Sequence, residues 1–361
     1  MSESTTPLTA ANHWPDWVLV SGPDTVAALE SISAAYGRIL DTVSNGYLYN
    51  HVMQRQLNAV NDKLIEQGVI DFKRQVLKQN ANLPHAHLAA HCYENGSACR
   101  IIGVLCSAKK MAIVHLIDSV RSSLVSGNLL VALICLRSLI EHIAHFDAAI
   151  NELRPYAVPA SFEDANMVLG EIKSKIVATT YATRADWEGL ILSETDDLIK
   201  RSKVKYKPVE NRQNRTADSI LNAIDGLSKK VKGIRSVYEV LCEFAHPNVG
   251  LLLGLTRSAQ PVPDKHDFYW VRKELSLKAP LAIAAESGAV LNQIFVKIAE
   301  CMAHFEALLV EANQQRDKVQ QISQIVLHQI LSKQPDILDS YAPCPCGSNL
   351  KVKFCCGART N

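Results

Sequence analysis

The sequence predicts a mainly α-helical fold: a helical bundle with a small β-hairpin insertion and a cysteine-rich C-terminal module. Three observations lead there. Apolar residues recur at short helical periods with few turn signals between them. One stretch, 250–276, breaks that rhythm with short strand-like runs. Four of the ten cysteines crowd into the last eighteen residues.

The expected helices follow in order. Ser21-Gly22-Pro23-Asp24 starts a helix over 24–44, with Asp24 as its cap. Further periods cover 50–79, 105–126, 129–150, 162–175, 184–200, 216–245, 279–312 and 316–332. Ser126-Gly127-Asn128 reads as a tight hinge, which sets the helices on either side antiparallel. Val249 to Leu255 and Phe268-Tyr269-Trp270-Val271, separated by Pro261-Val262-Pro263-Asp264, read as a hairpin attached to the helices. The expected organisation is a helical domain over 1–333, subdivided near 100, a linker over 334–343 holding Pro335 and Pro343, and a metal module over 344–357.

Composition sets outer limits. The chain has 361 residues, 48% of them hydrophobic, enough for a large core. That excludes a disordered chain, a collagen-like fibre and a small disulfide scaffold. Lys plus Arg number 38 and Asp plus Glu 36, so a uniformly basic nucleic-acid binder is excluded. Locally the balance differs. Residues 200–235 carry eleven bases against three acids, and 141–199 carry eleven acids against four bases. The basic run reads first as a solvated face; the alternative is a surface that steers an anionic partner such as RNA. MSESTTPLTAAN lacks the basic and apolar segments of a signal peptide. The longest strongly apolar run, Leu129 to Leu136, stops at Arg137 and is too short for a membrane span. The expectation is a cytoplasmic protein.

Of the scattered cysteines, Cys135, Cys242 and Cys301 lie in apolar helical patterns and are expected to be buried thiols. Cys344, Cys346, Cys355 and Cys356 are spaced as Cys-x-Cys, eight residues, Cys-Cys. Four thiolates suit the softness and tetrahedral preference of Zn2+, and adjacent Cys355 and Cys356 bond each other poorly. Gly347 lets the chain turn after the first pair, and Phe354 is expected to cover the site. Metal binding then supplies folding energy that so small a module cannot obtain from packing. The segment CPCGSNLKVKFCCG resembles the SEC-C motif, also found at the end of the bacterial secretion motor. Asn349 and Leu350 stand where that family usually has Gly-Lys, while all four ligand positions are kept. The resemblance implies a zinc-held docking piece for protein partners or the ribosome, not a catalytic centre.

A charged set interrupts the apolar helix after Gly127. Arg137 and Glu141, four apart, can pair on one face; His145 continues that stripe, and His142 points elsewhere. A second polar cluster closes another helix, where Pro247 fixes His246 and Asn248 at a helix-to-turn corner. If the two helices pack, Arg137, Glu141, His246 and Asn248 meet, either as a structural network or as a reactive site.

Arg137-Ser138-Leu139-Ile140-Glu141-His142 resembles the Arg-x(4–6)-His motif of HEPN helical domains, many of which are metal-independent ribonucleases. The resemblance implies that Arg137 stabilises phosphate charge and His142 transfers a proton, in a site completed across a homodimer. Ser138 stands where that family often has another polar residue, commonly Asn. The combination of Arg137 to Glu141 with His246 to Asn248 is also similar to a group of uncharacterised bacterial helical proteins, some ending in SEC-C modules. His85, His87 and His91 read as surface histidines rather than a second metal site. No Walker loop, dinucleotide-binding glycine pattern or nucleophile elbow is present. Two functions follow as expectations: a zinc-tailed helical ribonuclease, or a non-catalytic protein- or RNA-binding regulatory module that docks through its zinc tail. A hydrolase of another phosphorylated substrate comes third.

Overall fold

A computed structural model of the chain describes residues 23–44, 83–181, 220–245, 256–263, 269–275, 288–334 and 337–358, except 339, 342–343, 347 and 349. The expected helices at 50–79 and 184–200, the basic residues of 200–219, and His246 and Asn248 lie outside the described residues, as do the side chains of His85, His87 and His91.

The described part is mainly helical. Helix α1 spans Pro23–Ser44, α2 Leu83–Val125, α3 Leu129–Asn151, α4 Phe162–Tyr181, α5 Ile220–Ser228, α6 Ile234–Ala245 and α7 Gly288–Lys333. Pro23 opens α1, a position where its missing N–H costs nothing, so Asp24 sits in the first turn rather than at the cap. Helix α2 begins well before the expected 105 and runs through Gly96. Ala98, Cys99, Ile102 and Leu105 are buried beyond that glycine, and their burial offsets its cost to the helix.

The hinge between α2 and α3 has its physical basis in Gly127, at φ 75°. There Asn128 N–H donates to Ser123 O at 2.7 Å and Gly127 N–H to Leu124 O at 3.1 Å, which satisfies the last carbonyls of α2. Asn128 then caps α3, its Oδ1 accepting from Val131 N–H at 3.3 Å. Ser161 does the same for α4, accepting from Asp164 N–H at 3.1 Å.

Two expected boundaries are corrected. The period at 216–245 is two helices, because residues 229–233 form turns that end at Gly233, φ 85°. Conversely, 288–312 and 316–332 are parts of one helix, α7, while the expected start over 279–287 lies outside the described residues. Ala312, Gln315 and Val319 are all buried there, so the face continues without a break.

Strand β1 spans Thr256–Pro263 and β2 Tyr269–Leu275. The expected first strand at 249–255 lies outside the described residues, and Pro261 to Pro263, expected to separate the strands, belongs to β1. The two strands pair antiparallel from Thr256 opposite Leu275 to Pro263 opposite Tyr269, with an irregularity between Ser258 and Pro261. The residues joining them, 264–268, lie outside the described set. Pro261 and Pro263 cannot donate to a ladder, which suits strands at a sheet edge.

The chain divides into two compact units. The first takes residues 1–45, 108–148 and 220–308. Its core is built on α3, where Leu136, Leu139, Ile140, Ile143 and Phe146 are buried, with Phe146 packed on Phe305 of α7 at 5.5 Å between ring centroids. Arg38 of α1 holds Glu306 of α7 through two bonds of 2.6 and 2.8 Å. Lys109 of α2 faces His142 of α3, so these helices run antiparallel about their hinge.

The second unit takes 46–107, 149–219 and 309–361. Ile102, Ile150, Leu169, Ile172, Ile322 and Val326 line its core. Arg154 pairs with Glu311 of α7, and Lys318 donates to Tyr156 O at 3.2 Å.

Among the described residues, α3 is the one helix long and apolar enough to cross a membrane by length and composition, with mean hydropathy 1.7 over eighteen residues, half of which are buried inside the protein. The apolar run thus continues past Arg137, where the sequence reading ends it. Val131 and Ile134 of α3 are exposed.

Candidate metal centre and the charged helix pair

The C-terminal cysteines converge as their spacing predicts. The sulfurs of Cys344, Cys346, Cys355 and Cys356 all lie within 4.8 Å of one another. Cys346 Sγ is 3.4 Å from Cys355 Sγ, and Cys355 Sγ is 3.9 Å from Cys356 Sγ. A disulfide needs about 2.05 Å. A tetrahedron of sulfurs about 2.3 Å from a zinc ion has an edge of roughly 3.8 Å, so the set fits a closed four-thiolate centre.

Local backbone builds this geometry. Cys344 N–H donates to Leu350 O at 2.7 Å and closes the first loop. Residues Val352–Phe354 form one 3-10 turn that delivers Cys355 and Cys356. Gly357 then crosses Val352 so closely that a Cβ would lie 2.8 Å from Val352 Cγ1 and 3.0 Å from its carbonyl oxygen. Glycine is needed there for space. Phe354 does not cover the site: it is 64% exposed, and Val352 fills the inside of the turn instead. With three residues per turn, successive side chains of a 3-10 helix point about 120° apart, so one of the three faces inward, and that one is Val352.

Without a metal the thiols share protons. Cys344 is pushed up to about 11 and Cys356 is raised as well, chiefly by their bonds to the neighbouring sulfurs. Cys346 is lowered because Cys344 and Cys356 donate to it. A divalent cation takes the place of those protons, so binding releases them.

The module also touches α7. Gln324 Nε2 lies 3.8 Å from Cys346 Sγ and 3.9 Å from Cys355 Sγ. His328 Nδ1 lies 3.1 Å from Cys356 O; the carbonyl only accepts, so that nitrogen carries the proton. Ser348 Oγ is 3.1 Å from Cys355 Sγ. Sequence reasoning missed Gln324 and His328; their four-residue spacing on one helix face was the available signal.

In the first unit, Arg137 of α3 pairs with Glu141 at 2.9 Å. Its other partners come from α6. Arg137 donates to Tyr238 OH at 3.2 Å and to Cys242 Sγ at 3.3 Å, while Tyr238 OH donates to Glu141 at 2.8 Å. Burial works against the charge on Arg137, but Tyr238, Cys242 and Glu141 hold the guanidinium above its ordinary value. Burial, with Glu141 as acceptor, pushes Tyr238 up to about 12. Cys242 and Cys135 are half-buried; only Cys301 of the three expected is fully buried.

His142 belongs to a different group. Its Nδ1 meets Lys109 Nζ at 3.2 Å. Burial and then Lys109 lower His142 to about 4, and the same causes act on His145. Burial lowers Lys109 to about 8. A third cluster escaped the sequence reading: Asp147, 1% exposed, accepts from Lys230 and, at 3.1 Å, from His304 Nε2. Burial opposes its charge, yet these two donors hold its carboxyl below the usual range. Lys230, counted in the basic run, is therefore paired, as is Arg235 with Asp225 and Glu239.

The class these features define is a mainly helical protein with a C-terminal four-cysteine cluster able to hold a metal ion. Comparison with family models, curated proteins and solved structures finds no match to the chain.

Proposed function

We infer that the chain is a zinc-binding helical protein of SEC-C type, whose C-terminal module is a structural docking piece for a protein or ribosomal partner. The observation that carries this reading is the convergence of four sulfurs within 4.8 Å of one another. Four thiolates around zinc leave no position open for a water or substrate, so the metal's chemistry here is structural. The chain's own residues do the rest. Gly357 permits the close crossing, Val352 fills the turn, and Gln324 and His328 fix the module on α7. Tyr341, Leu350 and Phe354 stay exposed, with Lys353 Nζ 3.7 Å from the Tyr341 ring centroid, and offer partners an apolar and cationic face.

The second reading is a metal-independent, HEPN-like ribonuclease in the helical part, acting in a homodimer. One observation favours it: a neutral, half-buried His142 beside the Lys109 amine pairs a base with a phosphate-binding group. It ranks second because Arg137 is already engaged by Glu141, Tyr238 and Cys242.

The test uses the purified full chain. Elemental analysis is expected to find about one zinc per chain, lost when Cys355 and Cys356 are both changed to Ser. The zinc-loaded chain is expected to cosediment with ribosomes or a protein partner and to leave mixed RNA intact. RNA cleavage that disappears in His142→Ala would replace this reading with the second.

A further inference from the structure

Four thiolates around one divalent cation carry an excess of negative charge, and each sulfur keeps lone pairs that seek donors. Within the module the Ser348 hydroxyl lies beside Cys355, and backbone N–H groups of Cys346, Ser348 and Cys356 serve Cys344 and Cys346. A further side-chain donor comes from outside the cysteine segment. Gln324 sits half-buried on α7, with its amide nitrogen close to both Cys346 and Cys355 sulfurs. Sulfur offers only acceptor sites here, so the amide must turn its NH2 end, not its oxygen, toward the pair. One turn further along the same helix, His328 donates to the carbonyl of Cys356. Gln324 thus addresses the sulfurs, and His328 addresses the backbone that carries them.

The geometry points to Gln324 as a positioning residue of the metal centre, which completes the centre from α7 by donating to two ligand sulfurs at once. This inference rests on the zinc reading above and goes beyond it. The centre is then not closed within the cysteine segment, and its affinity depends on a side chain twenty-two residues before its nearest sulfur partner. Partners that orient metal ligands typically change metal affinity by about 10- to 100-fold when removed.

The experiment uses the full chain and Zn2+ alone, with affinity read by competition against a chromophoric chelator. Cobalt(II) replaces zinc for a spectroscopic readout. Gln324→Leu is expected to weaken zinc binding about 10-fold. It should also move the sulfur-to-cobalt charge-transfer band to lower energy, because a thiolate that loses a donor has higher-lying lone pairs. Gln324→Glu should weaken binding further, since a carboxylate cannot donate and repels the thiolates. Gln324→Lys keeps N–H donors within reach and should recover affinity relative to both. His328→Ala should lower affinity while leaving the band in place, because it releases backbone rather than sulfur. The Glu and Lys variants keep a polar side chain at this position, so their contrast holds even if Leu disturbs folding. Equal affinity and an unshifted band across Leu, Glu and Lys, in a wild type that binds zinc, would overturn this inference alone. A wild-type chain that takes up no zinc would overturn the zinc reading and this one with it.

Discussion

The Tyr238 hydroxyl is the node of the charged helix pair. It accepts from Arg137 and donates to Glu141, so a single oxygen ties both ions of α3 to α6. The Arg137–Glu141 contact alone is a partly exposed pair within one helix, with side chains 23% and 26% exposed, and such pairs contribute little. Hydrogen bonds to charged groups contribute more, roughly 1.5–3 kcal/mol each. Tyr238→Phe is therefore expected to cost about 2 kcal/mol, read as a lower midpoint in urea unfolding, with the aromatic contact to Arg137 retained. An unchanged midpoint would mean that Arg137 and Glu141 satisfy each other without α6. The pairing of these two ions was legible in the sequence, because four residues is one helical turn. Their third partner was not. Tyr238 lies 97 residues beyond Glu141, and no local rule selects it over neighbouring polar side chains.

At the scale of elements, α3 organises the first unit. Phe146 is fully buried against Phe305, so truncation would remove both its own burial and an aromatic contact. Phe146→Ala is expected to destabilise by about 3–5 kcal/mol, measured by denaturant titration of the helical signal. A loss below about 1 kcal/mol would show that neighbouring residues collapse into the space. Helix existence was largely readable from periodicity, but helix limits were not. The break at Gly233 depends on one positive φ, and a lone glycine inside a helical period has no unique meaning. The continuity of α7 depends on Gln315 being buried, which a polar residue does not announce.

Across the whole molecule, protonation couples the buried groups to stability in one direction. His142 and His145 are lowered to about 4 in the folded chain, so between pH 6.5 and 4 the unfolded chain binds protons that the folded one refuses. Stability is therefore present above pH 6.5 and falls as the pH drops toward 4. Asp147, held below the ordinary carboxylate value, adds a further loss at the acid end as it protonates. Lys109, lowered to about 8, acts on the alkaline side: stability rises from pH 8 toward 10.5 as the folded amine sheds its proton first. Urea midpoints taken across this range are expected to fall steadily below pH 6.5, and the His142→Gln variant should flatten that slope. A midpoint constant from pH 6.5 to 4 would show that both imidazoles protonate freely in the folded state.

The sequence by itself determined what local spacing controls. It set the helical class, the four-cysteine cluster that could hold a metal ion, the glycine turn at 127 and the Arg137–Glu141 pair, all of which join residues within a short stretch of chain. Tertiary structure alone decided what meets across long separations. Tyr238 and Cys242 are brought to Arg137, Lys230 and His304 to Asp147, and Gln324 to the sulfurs. The same cause exposes Phe354 and buries Val352. Backbone geometry fixes neighbours within a turn or a short loop, whereas distant partners are selected by which apolar faces pack together, and many polar residues are compatible with each face until that packing is known.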